Sequence, residues 1–124
     1  MRRGLLFPAL LLLASLALAA AGDGAWLTKV PAKDRERANP LASDADAPLA
    51  GAKLFRQHCA SCHGTDATGR GKKPALIPER VQAAKPGELF WLLTNGSMRN
   101  GMPSWSQLPE EQRWQVIAFL KTLK

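Results

Sequence analysis

The sequence predicts an all-α domain of three to four helices behind a non-globular N-terminal extension. Residues 86–95 and 109–123 each place apolar side chains at the spacing of a helix face: Leu89, Phe90, Leu92 and Leu93 in the first, and Trp114, Ile117 and Leu120 beside Val116, Phe119 and Leu123 in the second. Nothing reads as a series of strands. The third observation is the run Cys59-Ala60-Ser61-Cys62-His63, followed at once by Gly64, a natural left-handed helix stop.

A Cys-x-x-Cys-His run reads as a site of covalent c-type haem attachment. Positions three and four apart share a helix face, so Cys59 and Cys62 can each form a thioether with one of two neighbouring vinyl groups, and His63 can reach the iron. Zinc would need four ligands, typically in two separated pairs. Here the two cysteines and two histidines all fall between His58 and His63, too close together to surround one metal. A thioredoxin-like pair would sit in a βαβ unit, which is absent, and a plain disulfide remains chemically open.

The chain carries a formal net charge of +7 over 124 residues. Residues 1–21 contain Arg2, Arg3, an apolar run and the exit Ala19-Ala20-Ala21, the layout of a secretory signal peptide. Cleavage is placed after Ala21, with Ala19 as the alternative. An uncleaved anchor competes, since the apolar stretch reaches the lower edge of a membrane span, but Pro8 and the alanine-rich exit favour cleavage. A twin-arginine route is disfavoured, because haem attachment needs an unfolded chain with accessible thiols. These features imply a periplasmic protein with no membrane span in the mature chain.

Removing the two arginines of residues 1–21 leaves 15 bases against 10 acids. The excess lies in residues 51–101, where Lys53, Arg56, Arg70, Lys72, Lys73, Arg80, Lys85 and Arg99 face only Asp66, Glu79 and Glu88. A basic face can steer an acidic redox partner, and it also serves as a solvated surface. Nucleic-acid binding would need a recognisable element beside the charge, and none is present.

Residues 22–46 are polar, contain Pro31 and Pro40, and show no sustained apolar period. They read as an extension or linker whose Trp26, Leu27 and Val30 tuck onto the domain. The domain proper spans 47–124. Asp46 can cap its first helix and Pro48 suits the first turn; that helix runs into the haem motif and stops at Gly64. Gly51 and Phe55 lie four apart, a small residue beside a large one, which lets another helix cross closely. His58 reads as a surface histidine. Residues 65–86 are loop-rich, anchored by Leu76 and Ile77, with a weak helix over 78–84. Pro86 then opens a clearer helix that Asn95-Gly96 closes, and the last helix starts near Pro109 with Glu110 and Glu111 favourably placed in its first turn.

The iron's other face takes a second ligand or stays open, and Met102 is the candidate. Gly101 lets the backbone approach a flat macrocycle and Pro103 stiffens the loop; Met98 has neither aid.

These residues resemble a class I c-type cytochrome of the small bacterial single-haem kind. The carrying features are the CASCH motif, the Gly51–Phe55 helix, the stretch from Gly69 to Pro74, the segment Gly101-Met102-Pro103-Ser104-Trp105 and the closing helix. The resemblance implies helices wrapped around one haem c, with first and last helices crossing through Gly51, Phe55, Phe119 and Leu120. It implies that the Pro74 carbonyl accepts the His63 ring N–H and that Leu76 packs on the macrocycle. The chain has no tyrosine, so Trp91 or Trp105 would replace any tyrosine contact, and Arg80, Arg99 and Trp91 are candidates for the propionates.

With His63 and Met102 as axial ligands no position is open to substrate, and what remains is one-electron exchange at a potential raised by the thioether. The expected function is a periplasmic electron carrier, not an enzyme. It would act as a monomer, or as the cytochrome subunit of a dehydrogenase or oxidase complex, between a dehydrogenase and a terminal acceptor, through partners with an acidic docking face. The alternative is a haem enzyme or a gas or redox sensor with a labile sixth ligand.

Overall fold

Helix formation follows the sequence punctuation closely. The computed structural model describes residues 24–71, 73, 75–76 and 78–124. The signal-peptide assignment of 1–21, the Pro74 contact and the Ile77 anchor lie outside the described residues. Among the described residues six α-helices occur: α1 (Ala32–Arg35), α2 (Ala47–His58), α3 (Ala60–His63), α4 (Pro78–Ala83), α5 (Pro86–Asn95) and α6 (Glu110–Leu120). Two 3-10 turns, Ala25–Lys29 and Met98–Asn100, join them.

Pro48 sits in the first turn of α2, where its missing N–H costs nothing. Asp46 precedes the helix but makes no side-chain cap. Asp44, exposed just before it, accepts the Asp46 N–H on its carboxylate at 2.9 Å instead. The helix expected to run unbroken to Gly64 divides at Cys59, whose φ of −115° separates α2 from α3. Backbone bonding continues through the bend: Cys59 N–H donates to Phe55 O at 2.8 Å and His63 N–H to Cys59 O at 2.9 Å. Gly64, at φ 82°, then ends α3.

α2 and α6 cross at Gly51. A Cβ there would lie 1.9 Å from the Gln115 carbonyl oxygen and 2.9 Å from Phe119 Cβ, so only glycine permits this approach. One turn on, the rings of Phe55 and Phe119 meet at a centroid distance of 5.2 Å. Phe55, Trp114 and Ile117 are the most deeply buried large side chains, joined in one core by Val81, Leu89, Phe90, Leu93 and Leu120. Phe90 and Trp114 stack at 4.1 Å and bind α5 to α6.

Residues 24–46 form a strap against the helices, with more order than its lack of an apolar period suggests. Val30 is buried, Asn39 Nδ2 donates to the Trp114 carbonyl at 3.1 Å, and the Arg37 guanidinium lies 4.4 Å over the Phe90 ring. Salt bridges at 2.6 Å join Arg37 to Glu110 and Lys85 to Glu36. This segment gains its helical turns from polar contacts distant in sequence, which a local apolar pattern does not reveal.

Candidate haem-binding site

A cavity of about 470 Å³ opens between α2, α3, α5, α6 and the loop after α5. Its lining is predominantly apolar, and its size suits burial of a cofactor-sized ligand. Phe55, His58, Cys59, Cys62 and His63 all reach it from α2 and α3. The spacing explains why: Phe55, Cys59 and Cys62 fall at positions i, i+4 and i+7 of one face. Both cysteines are half-buried and free of any disulfide. Burial pushes the Cys59 thiol up to about 11, with the neighbouring Cys62 adding to the rise, further from ionisation than an ordinary thiol.

The loop after His63 turns back through Gly64 and Ala67, the latter at φ 62°. Gly69 N–H donates to the His63 carbonyl at 2.7 Å, and Leu76 N–H to the Ala67 carbonyl at 2.8 Å. That second bond brings Leu76, half-buried, onto the cavity wall. A Cβ at Gly69 would lie 2.8 Å from both Ala75 N and Lys73 O, which makes the fold-back too tight for a side chain.

Met102 reaches the same cavity from the loop after α5, whereas Met98 is 72% exposed and does not line it. The loop is closely pinned. Ser97 and Met102 exchange backbone bonds at 2.8 and 3.0 Å, Ser104 Oγ donates to Thr94 O at 2.6 Å, and Trp105 N–H donates to Leu93 O at 2.8 Å. Gly96, at φ 69°, lets the backbone of Pro103 approach where a Cβ would clash at 2.6 Å. Arg113 Nη1 steadies Thr94 from α6 by a hydrogen bond to its hydroxyl.

His58 departs from expectation. It is half-buried and lines the cavity, its ring 5.3 Å from that of Trp105. Its position four residues before Cys62 was the available signal, and the Trp105 contact was hidden by sequence distance. Trp105 lines the cavity and Trp91 does not; Arg80 lines it and Arg99 does not. Lys73 joins Arg80 as the second cation on the lining. Lys121 holds α4, which carries Arg80 and Val81, by donating to the carbonyls of Val81 at 2.7 Å and Ala84 at 2.5 Å. Burial lowers the Lys121 pKa, opposed by the charge of Glu88.

The donor set fits a tethered haem: two thiols and an imidazole on one wall, a thioether on another, and apolar surface between. Among the described residues, no group of three or more histidine, cysteine, aspartate or glutamate side chains gathers to hold a bare metal ion. None of their helices is long and apolar enough to cross a membrane.

Residues 46–120 match the family model of cytochrome c oxidase, cbb3-type, subunit III. The chain is 39% identical over 67 residues to cytochrome c55X of Stutzerimonas stutzeri, covering 54% of this chain and 56% of that protein. It is 33% identical over 81 residues to dihydro-heme d1 dehydrogenase of Pseudomonas aeruginosa, covering 64% of this chain and 16% of that one. It is also 32% identical over 94 residues to the quinohemoprotein alcohol dehydrogenase ADH-IIG of Pseudomonas putida, covering 73% of this chain and 12% of the enzyme. Cytochrome CL of Methylophaga aminisulfidivorans superposes with a TM-score of 0.58 at 26% identity, covering 68% of this chain and 58% of its own. The chain therefore spans a minor part of the two dehydrogenases and little more than half of each of the two cytochromes. The cavity, its donor set and the match over 46–120 agree: the chain belongs to the c-type cytochrome family represented by subunit III of cbb3-type cytochrome c oxidase.

Proposed function

We propose that this chain is a periplasmic one-electron carrier whose haem c is held by Cys59 and Cys62, with His63 and Met102 as axial ligands. The supporting observation is that His63 and Met102 reach one apolar cavity from separate elements while Met98 stands exposed. Haem c supplies reversible one-electron iron chemistry when bound. Cys59 and Cys62 contribute the thioether links, and the pinned loop from Ser97 to Trp105 holds the Met102 sulfur in place. Leu76, Leu93 and Val116 line the cavity and would exclude water from the bound group. Pro74 is assigned as acceptor of the His63 ring N–H, on the family pattern alone.

The similarity to dehydrogenase chains favours a dehydrogenase as electron donor, with this protein acting as a separate carrier or as the cytochrome subunit of a complex. Exposed Lys73 and Arg80 at the cavity suit a partner with an acidic docking face. Carbon monoxide titration of the reduced protein tests the ligation. An unchanged spectrum is expected, because the Met102 thioether would hold the iron against an added ligand; ready binding at neutral pH would point instead to a haem enzyme or gas sensor. Met102→Ala is expected to open the site and lower the reduction potential, and an unaltered spectrum and potential would move the ligand elsewhere.

A further inference from the structure

Trp26 lies outside the matched family segment, yet it lines the cavity and packs on the core. The strap supplies it through an organised set of contacts. The 3-10 turn Ala25–Lys29 carries the indole, and Arg35 Nη2 donates to the carbonyls of Leu27 and Val30, at 3.2 and 3.4 Å, at the end of that turn. Nε of the same guanidinium lies 3.5 Å from Glu88 Oε1, on a side chain only 10% exposed. Arg35 therefore ties the Trp26 turn to α5, whose Leu89, Leu92 and Leu93 also line the cavity. Gly87 permits this docking, since a Cβ there would meet Asp34 O at 2.1 Å.

We infer that the strap is a cover for the haem, with Trp26 packing on the bound group to exclude water and the Arg35–Glu88 pair acting as its positioning clamp. The inference rests on the haem reading above. Its consequence is electrostatic: water stabilises the more highly charged oxidised site, so an apolar ring in its place raises the reduction potential.

The test uses the full mature chain with haem attached, comparing Trp26→Ala, Trp26→Phe and Arg35→Ala by midpoint potential and by the response of haem absorption to added cosolvent. Trp26→Ala is expected to raise the oxidised-to-reduced ratio severalfold at a fixed ambient potential and to increase the cosolvent response. Arg35→Ala should move both readouts the same way by less, and Trp26→Phe should restore them nearly to the original. If Trp26→Ala carries haem but leaves both readouts unchanged, the cover role is overturned while the haem reading stands, even if the melting temperature falls. If the mass of the unaltered protein includes no covalent haem, both are overturned.

Discussion

The α2–α6 crossing and the strap both close on one core, but different forces hold them. The crossing is apolar and tight: Ile117 is fully buried, and the Phe55 and Phe119 rings meet beside a backbone contact that only Gly51 allows. The strap buries Val30 and leans Trp26 on the cavity, but most of its grip comes from Arg35, Glu36, Arg37 and Asn39. Close packing tolerates little and responds weakly to ionic conditions. Exposed ion pairs contribute little each and are screened by salt. The crossing therefore belongs to the globally stable unit, and the strap can open locally while the core stays folded.

Both contacts contain a glycine whose Cβ would strike backbone, so one added methyl group at each site separates the two cases. Gly51→Ala carries the largest expected effect. Its Cβ falls 1.9 Å from the Gln115 carbonyl oxygen, and helix backbone cannot move aside without parting α2 from α6. Overpacking of this kind costs about 3 kcal/mol. For a domain of this size the melting temperature should fall by roughly 15 °C in a thermal scan of the haem-bound protein. An unchanged melting temperature would mean that the crossing is not the central contact.

While α6 as the partner followed from the family resemblance, a close crossing at α2 was legible in the sequence because its determinants are local, Gly51 and Phe55 four apart. The same holds for Cys59, Cys62 and His63, whose spacing alone directs them to one cavity, and for Met102, set apart from Met98 by its glycine and proline neighbours. The strap was legible only as an outline. Asn39 bonding the Trp114 carbonyl, Arg35 reaching Glu88 and His58 lying on Trp105 join residues far apart in sequence, and no local period reports such pairs. The bend at Cys59 was hidden too, since Ala60-Ser61-Cys62-His63 continues a helical composition through it.

Gly87→Ala is the matching change at the strap. Its Cβ would lie 2.1 Å from Asp34 O, as severe a clash as at Gly51, but the opposing backbone belongs to a segment that can lift away. Alanine is also a better helix former than glycine, which offsets part of the loss. The expected outcome is a nearly constant melting temperature with faster tryptic cleavage after Lys29, Lys33, Arg35 and Arg37. A fall in melting temperature matching that of Gly51→Ala would erase the distinction and make the strap part of the core.

Acid should loosen the strap before it disturbs the crossing, which is the smallest effect of the three. The Glu36 carboxyl is held below its ordinary pKa by a hydrogen bond from Lys85 and then by the charge of that lysine. The Glu110 carboxyl is lowered first by a hydrogen bond from the Trp114 indole and then by Arg37. Once the strap lifts, Glu36 and the contact of Glu110 with Arg37 return toward ordinary behaviour, so the open state binds protons more readily than the docked one. Docking stability is thus complete above the ordinary carboxylate range and declines as pH falls through it, ending below the lowered docked-state pKa values. Both carboxylates are exposed, so the change is modest and added salt at neutral pH should mimic part of it. The signal to follow is Trp26 emission, isolated as the difference from Trp26→Phe and quenched by the haem while the strap is docked. Its recovery on acidification, with helix content by circular dichroism unchanged, is the expected result; recovery only together with loss of helix would mean that strap and core open as one.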